Sequence, residues 1–232
     1  MKTAFILGAG LGTRLRPLTE HCPKPLIEVG GKPIICRAFD ALIAAGIGRF
    51  IVNTHHAADC YKTAFPKSEY HGVPITFVHE TVLLDTGGGL KNIEPLLSDE
   101  DESIAIYNGD ILANLDLKRL FAFHRGNDAL ATLLLRTDSC GNVNFDDCSS
   151  RVCDMRDRLG VAGTRRCRFT GIYCVRRAFF KELVPGKTES VVEAFLRTIA
   201  RSRGIAALVD DGGSWQDLGT IGELEKARRL FI

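Results

Sequence analysis

Leu7-Gly8-Ala9-Gly10-Leu11-Gly12-Thr13-Arg14-Leu15-Arg16-Pro17-Leu18-Thr19 decides how the rest of this sequence is read. It closes the short apolar run Thr3–Leu7, so a strand leads directly into a glycine loop. Three glycines at alternate positions let backbone N–H groups approach an anion closely, and the two arginines that follow can neutralise its charge. The spacing is G-x-G-x-G. It matches neither the dinucleotide fingerprint G-x-G-x-x-G nor the P-loop G-x-x-x-x-G-K-[ST]. The next strand, Arg49–Asn53, ends in an amide where a ribose-binding acid would be expected. Taken alone, the triplet is more often a tight turn than a phosphate site.

Outward from this loop, strand-like runs alternate with helical patterns. Pro33–Ala45 carries Ile34, Ile35, Ala38, Phe39, Leu42 and Ile43 at helical spacing, and Gly46 stops it. Ile75–His79 and Ser103–Tyr107 read as strands, and Ala58–Ala64 and Gly88–Leu97 as helices. Such alternation implies right-handed βαβ units. The expected fold is α/β in three layers, with a mostly parallel central sheet, helices on both faces and a small irregular lobe. Later, Leu117–Phe123 reads as a helix and Ala129–Leu135 as a strand. Asp138–Arg168 is rich in Gly, Asn, Asp, Ser and Arg, which suggests hairpins outside the main sheet. A strand over Arg168–Val175 and helices near Arg177–Leu183 and Ser190–Ser202 follow. Thr220–Phe231 is an amphipathic helix with Leu224, Ala227, Leu230 and Phe231 inward.

Composition narrows the function classes. With 232 residues, of which 45% are hydrophobic, the chain can bury a sizeable core as one domain. No apolar run approaches the roughly 20 residues that a membrane span needs. A net charge of +2, from 30 basic and 28 acidic residues, is too balanced for a dedicated nucleic-acid binder. Between Met1 and Arg37, however, six basic residues face two acidic ones, which suits a small anionic ligand. The eight cysteines form no C-x-x-C pair. They read as reduced, mostly small buried hydrophobes of a cytoplasmic protein. Adjacent His55 and His56, near Asp59 and Cys60, are expected to point apart rather than share a metal.

Downstream of the glycines stand Pro23-Lys24-Pro25, Val29 and Gly31-Lys32-Pro33. Together with the opening stretch they resemble the sugar-1-phosphate nucleotidylyltransferases, whose signature is G-x-G-T-R-L-x-P-L-T, then P-K-P, then V-x-x-K-P. The resemblance continues through His79-Glu80, Leu84-Asp85-Thr86-Gly87-Gly88-Gly89-Leu90, Asn108-Gly109-Asp110, Thr170-Gly171-Ile172-Tyr173 and Trp215-Gln216-Asp217-Leu218-Gly219-Thr220. Within the family the pattern is most similar to the N-acetylmuramate-1-phosphate uridylyltransferase branch, with mannose-1-phosphate guanylyltransferase-like proteins close behind.

The resemblance implies a Rossmann-like nucleotidyltransferase fold and an in-line attack of a sugar 1-phosphate on the α-phosphate of a nucleoside triphosphate. By the same resemblance, Arg14 binds the departing β- and γ-phosphates and Lys24 holds the α-phosphate. Leu7, Gly8, Ala9, Gly10, Gly12 and Thr13 would contact the nucleotide from the loop; Asn53, Glu80, Thr86, Gly87 and Gly88 would do so from later segments. Asn108, Thr170 and Gly171 are implied on the sugar phosphate. Asp110 and Asp217 are implied as ligands of Mg²⁺, a hard cation suited to carboxylate and phosphate oxygens. Residues up to about 135 would form the nucleotide-binding core, and about 136–232 the sugar-phosphate part and C-terminal helix. Partners beyond the two substrates are not expected, and the assembly is a monomer or homodimer.

One departure concerns the sugar phosphate. Many relatives carry Glu-Lys-Pro or Lys-Pro before the T-G-I strand; here the stretch is Asp154-Met155-Arg156-Asp157-Arg158-Leu159-Gly160, and Arg156, Arg158 or Arg165 could supply the cation. Two alternatives stay open. One is a choline-phosphate cytidylyltransferase of the same fold, although four Tyr and one Trp offer few residues for an aromatic cage. The other is a non-catalytic nucleotide-sugar-binding regulatory protein.

Overall fold

The computed structural model describes residues 1–202 and 204–230. In chain order its elements are β1 (Thr3–Leu7), β2 (Glu28–Val29), β3 (Lys32–Pro33), α1 (Ile34–Ala44), β4 (Arg49–Thr54), α2 (Asp59–Ala64), β5 (Glu69–Tyr70), β6 (Val73–His79), α3 (Asp85–Asn92) and β7 (Ser103–Asn108). They continue with β8 (Ile111–Ala113), α4 (Leu117–Arg125), β9 (Ala131–Thr137), β10 (Val143–Asp146), β11 (Arg151–Met155), β12 (Arg165–Arg176), α5 (Val191–Ala200), β13 (Ile205–Val209), β14 (Trp215–Asp217) and α6 (Ile221–Leu230). Two compact units emerge. One comprises Lys2–Leu83, Tyr107–Leu115 and the segment from Gly213; the other comprises Leu84–Ile106 and Asp116–Gly212, with Met1. None of the described helices is long and apolar enough to cross a membrane.

In the first unit, β1, β4 and β6 run parallel, with β5 antiparallel at the edge. The helix α1 forms because Ile34, Ile35, Ala38, Phe39 and Leu42 recur on one face, and all five are buried. Pro33 precedes it with an extended backbone, and Gly46, at φ +94°, turns the chain away after it. Phe39 stacks on Phe50 of β4 at 4.3 Å between ring centroids, which locks the helix to the strands. A separate cluster joins Leu15, Ile27, Val29 and Ile34 to Leu112, Leu218, Leu224 and Ala227. It confirms the inward face of α6; Leu230's side chain and Phe231 lie outside the described residues.

The second unit has strand order β10-β11-β13-β9-β12-β7. Here β13 runs parallel to β9, while β12 is antiparallel to both β9 and β10. The α/β class is as expected, but two expectations need correction. Asp138–Arg168 does not form hairpins outside the main sheet, because β10 and β11 are strands of it. Its polar residues are consumed locally: the fully buried Asp154 carboxylate accepts the backbone N–H groups of Arg158, Leu159 and Gly160. Nor are the cysteines mostly buried. All eight are free, yet only Cys36, Cys167 and Cys174 are buried, and Cys140 and Cys148 are exposed.

A buried histidine gives this unit a pH dependence. His124 on α4 has no accessible surface; Nδ1 lies 2.8 Å from Thr132 Oγ1 and Nε2 3.2 Å from Ser103 Oγ. Burial, and then the charges of Arg176 and Arg125, push its pKa down to about 4. Between pH 6.5 and 4 the unfolded chain therefore binds a proton that the folded one does not, so stability falls as pH falls through that window. Urea unfolding at pH 7 and 4.5 should show a loss of about 2–3 kcal/mol from this group. His124→Gln should show a correspondingly smaller difference, and equal pH slopes would contradict the assignment.

Candidate active site

The glycine loop is built against β4 and α2. Gly8 must lack a side chain, because a Cβ there would sit 2.6 Å from Asn53 O and 2.8 Å from the Tyr61 hydroxyl. Gly8 N–H donates to Asn53 Oδ1 at 2.7 Å, Asn53 Nδ2 donates to Glu80 Oε1 at 2.8 Å, and Tyr61 donates to Gly8 O at 3.0 Å. Asn53 and Glu80 are thus buried braces behind the loop. Ala9 is buried beside them, whereas Gly10 is exposed with open space over its Cα. Leu7 ends β1, and Thr13 is exposed on the loop.

Gly12, at φ +61°, starts the short 3₁₀ turn Thr13–Leu15. A Cβ there would meet Thr19 Cγ2 at 2.8 Å. Thr19 Oγ1 donates to Gly12 O at 2.8 Å and so closes the loop on itself. Leu15 is buried and Arg14 exposed, with both guanidinium Nη atoms 3.1 Å from the position a Cβ on Gly219 would take. Arg14 therefore lies flat over the Gly219 backbone, two residues past Asp217.

Lys24 is a buried cation of this unit. Its Nζ donates to Asp110 Oδ2 at 2.7 Å and stands 3.8 Å from Asp217 Oδ1. Prolines on both sides and the 3₁₀ turn Lys24–Leu26 hold its backbone. Asp110 arrives through Gly109, whose N–H donates to Leu7 O at 3.0 Å. A Cβ on Gly109 would sit 2.5 Å from Leu7 O and 2.9 Å from Pro25 Cγ, so only glycine lets the chain pass between β1 and the lysine turn. Gly109→Ala is expected to cost about 1–3 kcal/mol by overpacking. It should also displace Asp110, which chemical denaturation and a structure of the variant would show. Asp217 comes from β14, which pairs with β8 so that Asp217 faces Ile111, and Leu218 N–H donates to Asp110 O at 3.1 Å. This small ladder brings together two carboxylates from distant parts of the chain. Asn108 ends β7, two residues before Asp110.

The donor set fits a divalent cation. Asp217 Oδ1 is buried and has no hydrogen-bond partner. Burial first, then the neighbouring Asp110 carboxylate, pushes the Asp217 carboxyl above the usual carboxylate range, while Lys24 and Arg14 pull the other way. Two hard oxygen donors whose charges repel, one of them unsatisfied, suit an ion that keeps part of its shell for phosphate and water. No cluster of three or more metal-ligating side chains occurs among the described residues.

The remaining sequence-derived site residues belong to the other unit. Thr86 Oγ1 accepts Val191 N–H at 2.9 Å, and the N–H groups of Gly87 and Gly88 donate to Glu189 O. A Cβ on Gly88 would lie 2.3 Å from Lys187 O, so these glycines admit the segment 187–191 against α3. Thr170 is buried, donating to Leu134 O at 2.8 Å, and Gly171, at φ +79°, sits in the bulge of β12. Of the three candidate sugar-phosphate arginines, Arg158 pairs with Glu193 and Arg165 with Asp147. Arg156 is exposed.

Two contributors escaped the sequence reading. Gly219 supports Arg14, a role that no local pattern marks. His56 reaches the loop: its Nε2 lies 3.0 Å from Thr19 O and 2.9 Å from Glu20 O, while His55 Nδ1 meets Glu80 O at 2.7 Å. The two histidines do point apart.

Comparison with known proteins identifies the family. A curated mannose-1-phosphate guanylyltransferase of Mycobacterium tuberculosis is 31% identical over 224 residues, covering 94% of this chain and 61% of that protein. A mannose-1-phosphate guanyltransferase of Yarrowia lipolytica is 38% identical over 131 residues, 56% of this chain and 36% of its own. The chain thus spans only part of these relatives' length. Among solved structures, HddC from Yersinia pseudotuberculosis, complexed with GMP-PN, superposes with a TM-score of 0.79 at 24% identity, covering all of both chains. UDP-glucose pyrophosphorylase from Acinetobacter baumannii gives 0.81 at 18% identity, covering all of this chain and 93% of that one. The model of the nucleotidyl transferase family matches residues 3–231. With its glycine loop, lysine turn and paired aspartates inside that match, the chain belongs to the nucleotidyl transferase family.

Proposed function

We propose that this protein transfers a nucleotidyl group from a nucleoside triphosphate to a sugar 1-phosphate. The observation that carries the reading is the Lys24 ammonium, buried between the carboxylates of Asp110 and Asp217. A phosphate oxygen of the acceptor attacks the α-phosphorus, the bond to the bridging oxygen breaks, and pyrophosphate leaves with the electron pair. No covalent enzyme intermediate is needed, so catalysis is positioning and charge neutralisation. Lys24 Nζ has three donors and can turn one to the α-phosphate as charge builds there. Arg14, exposed on the loop, meets the departing phosphates, and the open backbone at Gly10 leaves room for their approach. Asp110 and Asp217 would hold Mg²⁺, which when bound neutralises phosphate charge as a Lewis acid.

The same reading gives residues up to about 135 the nucleotide and about 136–232 the sugar phosphate, with Thr86, Gly87 and Gly88 toward the base and Thr170 and Gly171 toward the sugar. A cytoplasmic location belongs with it. The names of the curated relatives support GTP and mannose 1-phosphate as the first pair to test. UTP with N-acetylmuramate 1-phosphate, which the sequence pattern favours, comes next. The test is pyrophosphate release with Mg²⁺ for the four ribonucleotides and dTTP, each against a panel of sugar 1-phosphates and phosphocholine. Release should occur with a sugar 1-phosphate. Release only with phosphocholine, or triphosphate binding with no release for any pair, would overturn the reading.

A further inference from the structure

We infer that His56 is a positioning residue that fastens the phosphate loop, holding Arg14 ready for the triphosphate before ligand arrives; the catalytic part of this inference rests on the function proposed above. The chain turns sharply just beyond β4, where Ala57 takes φ +49° and bridges back to His55. That turn separates the two rings and sends His56 to the loop. Both atoms facing its Nε2 are carbonyl oxygens, Thr19 O at 3.0 Å and Glu20 O at 2.9 Å, so Nε2 carries a proton and donates to both.

The contact is the far end of a chain of hydrogen bonds. Thr19, itself buried, donates through Oγ1 to Gly12 O, and Gly12 O also accepts Leu15 N–H at 2.8 Å. Leu18 N–H donates to Leu15 O and Glu20 N–H to Pro17 O, both at 3.0 Å. Residues 12–20 are thereby tied at the start through Gly12 and at the end through His56, with Arg14 on the exposed part between. Lys24 has its own fastening on Asp110. Loss of His56 should therefore free the arginine loop and leave the lysine turn in place. A free loop must be ordered by the triphosphate at the expense of binding energy. The penalty falls on triphosphate affinity more than on turnover.

Three variants test this. His56→Ala removes the donor, His56→Asn places an amide nitrogen near the Nδ1 position, and His56→Gln reaches the Nε2 position. Hydrogen–deuterium exchange of the ligand-free protein should be at least about tenfold faster at the amides of Leu15, Leu18 and Glu20 in the Ala and Asn variants, and near wild type in Gln. In the turnover assay the Ala variant should raise KM for the triphosphate roughly tenfold with kcat within about threefold, and Gln should restore KM. Unchanged exchange in His56→Ala, or Gln no better than Asn, would overturn the anchoring. An unchanged KM, or a fall in kcat alone as from a partly unfolded variant, would overturn the positioning role. Exchange is read without substrate, so it decides the anchoring even if no sugar phosphate supports turnover.

Discussion

Lys24→Ala should lower kcat by about two to three powers of ten, equivalent to ~3–4 kcal/mol of transition-state stabilisation, in a protein that still folds. Nζ donates to Asp110 at 2.7 Å while standing 3.8 Å from Asp217, and these two contacts fix its direction. Such a charge costs no reorganisation when negative charge gathers on the α-phosphate, and for that reason its loss should appear in kcat as well as in KM. The variant also leaves two carboxylates facing each other without their counter-charge. Both side chains are about a third to a half exposed, so water screens much of that repulsion and the fold survives. Mg²⁺ should raise the melting temperature of Lys24→Ala more than that of the parent, because the cation then relieves repulsion that the ammonium relieved before. Lys24→Arg should recover little turnover, since a planar fork cannot fill the place of a compact ammonium between two turns. A kcat within threefold of the parent at saturating substrates would remove Lys24 from the chemistry.

Asp110→Asn and Asp217→Asn should each reduce Mg²⁺-dependent turnover at least about a hundredfold, and the double variant should be little worse than either alone. Groups that act through one ion fail together: once one carboxylate is lost the ion is held poorly, and the second has little left to contribute. The geometry favours this outcome over two separate sites. Leu218 N–H is bonded to Asp110 O, and β14 lies directly beside β8, so the backbones that carry the two carboxylates cannot move apart without breaking the ladder. Mn²⁺ binding followed by its paramagnetic signal gives a second readout that needs no turnover. Each single variant should weaken it by a similar factor. Strictly additive losses in turnover, or undiminished Mn²⁺ binding in either variant, would separate the two aspartates.

The parts of the site that were legible in sequence are those whose partners lie close along the chain. A strand running into alternating glycines, a lysine between prolines and an Asn-Gly-Asp after an apolar run each carry their geometry in a few neighbouring residues. Even so, the reasons for some of these residues became visible only in three dimensions. Asn53 and Glu80 turn inward to brace Gly8, and Gly87 and Gly88 give their N–H groups to Glu189. The strands β10 and β11 were hidden because Asn144 and Asp154 interrupt the apolar alternation. Their polar atoms are instead satisfied within the turn at residues 154–160 or by Asp157. His56 acts across 36 and 37 residues of chain and Gly219 across about 200, and spacing rules carry no information at such separations.

The pairing of β8 with β14 also orders events during synthesis. Lys24 and Asp110 can meet as soon as the first half of the chain has left the ribosome, but Asp217 and the Leu218 amide are made about a hundred residues later. The same late segment brings Leu218, Leu224 and Ala227, which cover Leu15, Ile27, Val29 and Ile34 beneath the glycine loop. A nascent chain therefore carries the glycine loop over an uncovered apolar floor, with one carboxylate of the pair missing. The lid over that floor and the second carboxylate arrive in one stroke, so the pairing of the two carboxylates and the burial of the adjacent core are acquired together.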